Sequence, residues 1–459
     1  MKKKLVSLFL ATAMVAAMAG CGSDNNTPAS TPASSDTTSN SQAESSEETP
    51  AAPEVEKPES ITVMIDGTVP TKENYGDEFW KKYTELTGVN VKVVTAASGT
   101  YNDVLTAEMD KENPPTLFQC GNAGAIKTWG EFCYDLSKTD FYKEMTTDDF
   151  NLYGENGELL AAGYCYEAFG IIVNKALLKQ AGYEITDIKD FASLKQIADD
   201  IHARAEELGF DAFSAAGLDD SSSWRFSGHL ANMPLFYQFR DDNIKSQPAT
   251  ITDAYLDNFK NIWDLYTTDS ATTGAALLTS TGDESTAQFG NGQAVFYQNG
   301  TWEYSNLISN FNMKPEDLAM IPIYCGVEGE EKAALCCGTE NCWSVNKNAA
   351  EEDIEATLEF MKWVVTSEEG TTMMAEQFGP CPFKKAKEPE NVFFADANKY
   401  IANGNYVVTW AFNYTPSVDN WRAGVVDALA QYTAGKGDWD AVKTAFVDGW
   451  ATQYASENG

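Results

Sequence analysis

Ile61-Thr62-Val63-Met64-Ile65, closed by Asp66-Gly67, reads as a buried strand, and the fifty residues after it decide the fold. Tyr75, Phe79, Tyr83 and Leu86 recur at helical spacing and are stopped by Gly88. Val89 to Val94 is a second strand. A second helix carries Val104, Leu105 and Met109 until Pro114-Pro115 breaks it. Thr116-Leu117-Phe118-Gln119 is a third strand, and the loop 120–125 leads into another helix. Strand alternating with helix predicts an α/β fold of βαβ units around a mainly parallel sheet. Ligands of such sheets sit beyond the carboxyl ends of the strands. The loops after Ile65, Val94 and Gln119 are therefore expected to face one common site.

Downstream the alternation continues with more helix. Asp190 is an expected N-cap for a helix burying Leu194, Ile197, Ile201 and Leu208 and ending at Gly209. A later helix, 351–366, is expected to bury Ile354, Leu358, Met361 and Val365; the last two span 421–433 and 439–454. The stretch 61–459 exceeds what one hydrophobic core usually holds, so two lobes are expected.

Upstream, Lys2, Lys3 and Lys4 precede an apolar run from Leu5 to Ala19, too short for an ordinary membrane span. Met18-Ala19-Gly20-Cys21 resembles the lipobox of bacterial lipoproteins. That resemblance implies a leader over 1–20 and a diacylglycerol on the Cys21 thiol. It also implies attachment through the lipid to the outer face of the cell membrane. Residues 21–60 are the expected disordered tether: after Cys21 they are mostly Ser, Thr, Asn, Pro, Ala and Glu, with no aromatic and Val55 the only large aliphatic.

The net charge is −36, and removing the three leader lysines takes it to −39. So acidic a chain is no match for nucleic acid, whose phosphates need a basic patch. Eight cysteines follow Cys21: Cys120, Cys133, Cys165, Cys325, Cys336, Cys337, Cys342 and Cys381. Their spacing fits neither a compact disulfide framework nor a zinc site, so they read as mostly free and buried. His202 and His229 stand isolated in sequence. No G-x-S-x-G, H-E-x-x-H or P-loop motif occurs, so neither catalysis nor a cofactor is expected.

Three stretches carry a family resemblance: Tyr166-Glu167-Ala168-Phe169-Gly170-Ile171-Ile172-Val173-Asn174-Lys175, then Phe289-Gly290-Asn291-Gly292-Gln293-Ala294 with Asn299-Gly300-Thr301-Trp302, then Gly338 through Trp343-Ser344-Val345-Asn346 to Ser367-Glu368. In that order they resemble family-one extracellular solute-binding proteins of ABC importers, the maltose-binding-protein-like group. The resemblance implies a two-lobed, periplasmic-binding-protein-like α/β clamp with a multi-stranded hinge. Its N-lobe would be 61–167 and 326–380, its C-lobe 168–325 and 381–459. It further implies a monomer that captures a carbohydrate for ABC-transporter permease subunits.

A pyranose offers an apolar C–H face and a rim of hydroxyls, so its site needs flat aromatics beside amides and carboxylates. By the resemblance Trp302 stacks on a ring, Glu167 takes hydroxyls at the crossover, and Trp421 is a further stacking residue. Trp224, Gln119, Asn122 and Asp66 follow from their places in loops. Each has a plainer reading: core aromatics for the tryptophans, solvated or turn-forming polar groups for the rest. The group's Asp-Arg pair after the third strand is missing, since the loop reads Gln119-Cys120-Gly121-Asn122-Ala123-Gly124-Ala125. That leaves a short oligosaccharide rather than maltodextrin as the expectation. The rivals are a secreted glycoside hydrolase with two carboxylates, and the same clamp holding a polyamine, a peptide or a metal.

Overall fold

The structure, a computed structural model, describes residues 57–66, 77–97, 100–215, 218–219 and 222–459, with backbone alone at 65–66 and 77–81. The leader, Cys21, the tether up to residue 56 and residues 67–76 lie outside them, Tyr75 included, as do the side chains of Phe79 and Asp66.

Among the described residues twelve strands form two six-stranded sheets. The first runs β2 (Asn90–Ala96), β1 (Ser60–Asp66), β3 (Leu117–Gln119), β11 (Cys342–Val345), β5 (Leu159–Gly163), β4 (Leu152–Tyr153). The second runs β12 (Tyr406–Thr409), β10 (Ala333–Gly338), β6 (Glu167–Asn174), β8 (Ala294–Gly300), β7 (Asp211–Ser214), with β9 (Leu318–Ile321) also on β6. Parallel pairing holds among β1, β2 and β3, as the βαβ reading predicts. The sheets as wholes are mixed. β11 lies antiparallel to β3 and β5, and β6 antiparallel to β8, β9 and β10. Both strands begin just after the chain has changed sheet, and they enter the new sheet against its direction.

The chain passes between the sheets through 164–166, through 339–341 and between the helices Glu368–Gln377 and Val392–Ala402. These segments run side by side: Tyr164 N–H donates to the Asn341 carbonyl at 3.0 Å and Tyr166 N–H to the Pro380 carbonyl at 3.1 Å. Because β10 pairs with β6, the sheets divide after Gly338 and not before Gly326. Each sheet has its own core. Leu117, Trp343, Val345, Phe360 and Met361 pack on the first; Phe169, Ile171, Phe213, Trp263 and Phe296 pack on the second.

Local chemistry explains several elements. Asp190 caps the helix Phe191–Ala203, its carboxylate accepting from Ser193 N–H at 2.8 Å. Leu194, Ile197 and Ile201 are buried there, and a break at Arg204 sets off a short helix Ala205–Leu208. The helix Glu351–Thr366 buries Met361 and Val365 as expected, but Ile354 and Leu358 are only half-buried. Its inner face is completed by Ala356, Thr357, Phe360 and Val364, one position further round. Tyr83 is buried against Phe360, whereas Leu86, expected on the same face, is 57% exposed. It sits in the last turn of Asp77–Thr87, past the packed face. The eight cysteines are free, all buried except the half-buried Cys337 and Cys381.

Candidate functional site

A cavity of about 450 Å³ lies where the carboxyl end of β3, the crossing segments and the loops of the second sheet meet. Gln119, Gly121, Asn122, Tyr101 and Asn102 line it from the first sheet. Glu167, Glu340 and Asn341 form its floor. Trp224, Ser227, His229, Trp302, Trp410, Phe412 and Arg422 line it from the second sheet.

The first wall is held by hydrogen bonds. Gln119 Nε2 donates to the Tyr164 hydroxyl at 3.0 Å, and that hydroxyl donates to Asn341 Oδ1 at 3.2 Å. Asn341 Nδ2 then donates to Glu167 Oε2 at 2.9 Å, so the Gln119 amide is linked through Tyr164 and Asn341 to the crossover carboxylate. The Tyr101 hydroxyl accepts from the Gln119 backbone N–H at 2.7 Å, tying the start of the helix Tyr101–Met109 to the end of β3. Asn122 has a second duty: its side chain caps the helix Ala123–Trp129 by accepting from Ala125 N–H at 2.9 Å. Burial and then the charge of Glu340 push the Glu167 carboxyl up to about 8, while the Asn341 amide opposes them.

The second wall is held by rings. Phe169 stacks on His229 at 3.9 Å, His229 meets Trp224 at 4.9 Å and Trp302 at 5.5 Å, and Trp224 meets Trp302 at 6.0 Å. Trp410 stacks on Phe412 at 5.3 Å, over whose ring the Arg422 guanidinium lies at 5.4 Å. Two glycines make room for these rings. A Cβ on Gly300 would sit 2.2 Å from the Trp302 ring, and one on Gly338 would sit 2.5 Å from Trp410. The spacing Asn299-Gly300-Thr301-Trp302 thus folds the indole back over its own strand end.

Trp224 and His229 are brought to the wall by a π-helical turn, Arg225–Leu230, leading into the helix Ala231–Asp241. Pro234 explains the wide turn. It lacks the N–H that would reach the Leu230 carbonyl and its ring crowds that group. The Arg225 guanidinium covers the outer face of Trp224 at 4.4 Å. Burial, then Arg225, then Arg422 hold the His229 imidazole well below its usual range, so it is neutral. Its Nδ1 accepts from the Gln298 amide at 2.8 Å.

Of the residues singled out from sequence, Gln119, Asn122, Glu167, Trp224 and Trp302 line the cavity together. Trp421 does not. It is 1% exposed, packs on Phe446 at 4.8 Å and Trp450 at 5.8 Å, and donates its Nε1–H to the Phe446 carbonyl. The helix Val418–Thr433 turns Val418, Asp419, Arg422, Ala423, Val426 and Asp427 to the cavity, so the next residue, Arg422, takes the place expected of Trp421. His229 is isolated in sequence yet central in space. Trp410, Asn341 and Glu340 escaped sequence reasoning. Only the Gly338 that admits Trp410 and the turn before Trp343 hinted at them.

Among the described residues no helix is long and apolar enough to cross a membrane. No group of three or more His, Cys, Asp or Glu side chains there is arranged to hold a metal.

Comparison with solved structures returns sugar receptors. A raffinose complex of the solute-binding protein RafE is similar over 84% of this chain and 98% of its own, at 17% identity and a TM-score of 0.66. Maltose-bound MalE3 of T. maritima is similar over 86% and 99%, at 18% identity and a TM-score of 0.63. A sugar transporter protein of Bacillus licheniformis in complex with stachyose is similar over 86% and 100%, at 15% identity and a TM-score of 0.62. At such identities they establish the periplasmic-binding-protein-like two-lobe fold. No curated protein matches in sequence. The family model described as bacterial extracellular solute-binding protein matches residues 78–400, most of the folded chain. With two lobes, a crossing hinge and a cavity on it, this chain belongs to the bacterial extracellular solute-binding protein family, whose members are transport receptors and not enzymes.

Proposed function

We propose that this chain captures a carbohydrate, a short oligosaccharide, in the cavity and hands it to the permease of an ABC importer. The observation that carries the reading is the pairing of two unlike walls. Trp224 and Trp302 offer ring faces on one side, with Gln119, Asn341 and Glu167 opposite. Ring faces suit the C–H face of a pyranose, and amides with a carboxylate suit its hydroxyls. A cavity near 450 Å³ is the size of a small-ligand site. The solved receptors with raffinose, maltose and stachyose bound support the same class. Lobes divided after Gly338 would close on the ligand about the three crossing segments. The lipid on Cys21, the tether and the membrane address complete the proposal from the sequence.

A thermal-shift screen of the folded chain against oligosaccharides, polyamines and peptides tests it. A ligand at a hundred times its dissociation constant adds about 2.7 kcal/mol. Stabilisation by an oligosaccharide is the expected result; stabilisation by polyamines or peptides alone would refute it.

A further inference from the structure

One residue after each of two cavity indoles stands a buried ionisable group: Arg225 after Trp224 and Glu303 after Trp302, each 7% exposed. Neither lines the cavity. The Arg225 guanidinium covers Trp224 at 4.4 Å and makes one hydrogen bond among the described residues, from Nη2 to the Tyr297 hydroxyl at 3.3 Å. Its buried Nε has no partner. The same hydroxyl accepts from Asn299 Nδ2 at 2.7 Å. With two N–H donors on its oxygen, its own proton goes to Thr286 Oγ1 at 2.7 Å. Asn299 Nδ2 also donates to Glu303 Oε2 at 2.9 Å, and Asn299 Oδ1 accepts from Gly300 N–H at 2.9 Å. Asn306 Nδ2 donates to Glu303 Oε1 at 2.6 Å.

Tyr297 and Asn299 meet because residues two apart on β8 share one face of the sheet. The Asn299 amide has all its bonds made, so it cannot turn without stranding a buried polar group. Burial pushes the Glu303 carboxyl up and the Arg225 guanidinium opposes that, so the two ends of the network support each other. One end lies flat on Trp224. The other holds Trp302 from both sides in sequence, through Glu303 after it and through Gly300 before it, where the ring folds over the backbone. The two rings stand 6.0 Å apart at 52°.

Resting on the carbohydrate reading, we propose that Arg225, Tyr297, Asn299 and Glu303 are positioning residues, whose buried network fixes the angle between the Trp224 and Trp302 rings and so presets the stacking wall before the sugar arrives. A wall already in its bound arrangement spares the ordering cost of binding.

Titration calorimetry with raffinose, stachyose, maltotriose, cellotriose, xylotriose and chitotriose selects the tightest binder, and a double-mutant cycle with that sugar tests the network. Tyr297→Phe keeps the ring and deletes the hydroxyl at the centre. It should weaken binding about tenfold in the parent, but about twofold or less in Trp302→Ala, where no ring is left to place. An unchanged affinity, or the same fold-change in both backgrounds, overturns the proposal. Thr267→Val breaks a buried hydroxyl bond to the Trp263 carbonyl in the helix Leu256–Thr268, outside the network. It should lower stability and leave affinity at the parent value. A loss of affinity as large as that of Tyr297→Phe would assign the effect to stability and overturn the network. Should Tyr297→Phe fail to fold, Arg225→Lys is carried through the same cycle against Trp224→Ala, with the same deciding outcomes. Sugar binding by the parent with additive effects removes the network and leaves the carbohydrate reading standing. Refusal of every sugar by the parent removes both.

Discussion

The two walls of the cavity are built by opposite means. The wall from the first sheet is a chain of directional bonds, Gln119 to Tyr164 to Asn341 to Glu167, in which every member fixes the next. Along the second sheet it is a pack of rings, Phe169, His229, Trp224 and Trp302, with Arg225 behind. Hydrogen bonds hold angles and so choose which hydroxyl is accepted. Ring faces are indifferent to rotation and supply contact area at low entropic cost. On the proposed reading, the difference puts selectivity mainly on the floor and first wall, and affinity mainly on the second.

The largest effect should come from a ring that lies behind the walls. Trp421→Ala removes a buried indole and is expected to cost about 3–5 kcal/mol of stability, read by denaturant unfolding. A loss of affinity in a Trp421 variant of parental stability would return that residue to the site. Next is Trp302→Ala, expected to weaken ligand binding by about 2–4 kcal/mol with the fold retained, because the ring is only half-buried. Unchanged affinity in calorimetry would show that the ring wall does not carry contact. Glu167→Gln, compared with the parent above pH 8 where the Glu167 carboxyl is ionised, should weaken binding by less, about 1.5–3 kcal/mol, as a charge-assisted hydrogen bond becomes a neutral one. If it outweighs Trp302→Ala, the assignment of affinity to the second wall is reversed. Asn122→Ala should cost about 1 kcal/mol of stability through the lost cap of Ala123–Trp129.

The last expected effect is a pH slope. A carboxyl pushed up to about 8 in the folded state binds its proton more tightly than in the unfolded chain. Folding is then favoured while that proton stays on, and stability declines as pH rises from about 5 through 8. Glu167→Gln should flatten this part of the profile. An identical slope in parent and variant would locate the titration elsewhere.

Much of the fold was legible because it is written in local patterns. The strands around 61–65, 89–94 and 116–119, the Asp190 cap and the free cysteines all follow from spacing, capping chemistry and composition. Gln119 and Trp224 were legible as site candidates from their places in loops, and Glu167 and Trp302 from the family resemblance. The antiparallel entry of β6 and β11 was not legible, since strand direction depends on where a returning segment finds an open edge.

By itself the sequence determined an α/β chain of two lobes, an acidic composition unsuited to nucleic acid, and the family. Periodicity, charge and motif order are properties of the chain and survive without coordinates. Only the tertiary structure decided that Trp421 goes inward while Arg422 faces the cavity. Adjacent helix residues point about 100° apart, and the packing of Phe446 and Trp450 selects which one is buried. It alone set Glu340 beside Glu167 and placed His229 and Trp410 in the wall. Those encounters span 60 to 240 positions of chain, and only the pairing of strands brings such distant residues within a few ångströms.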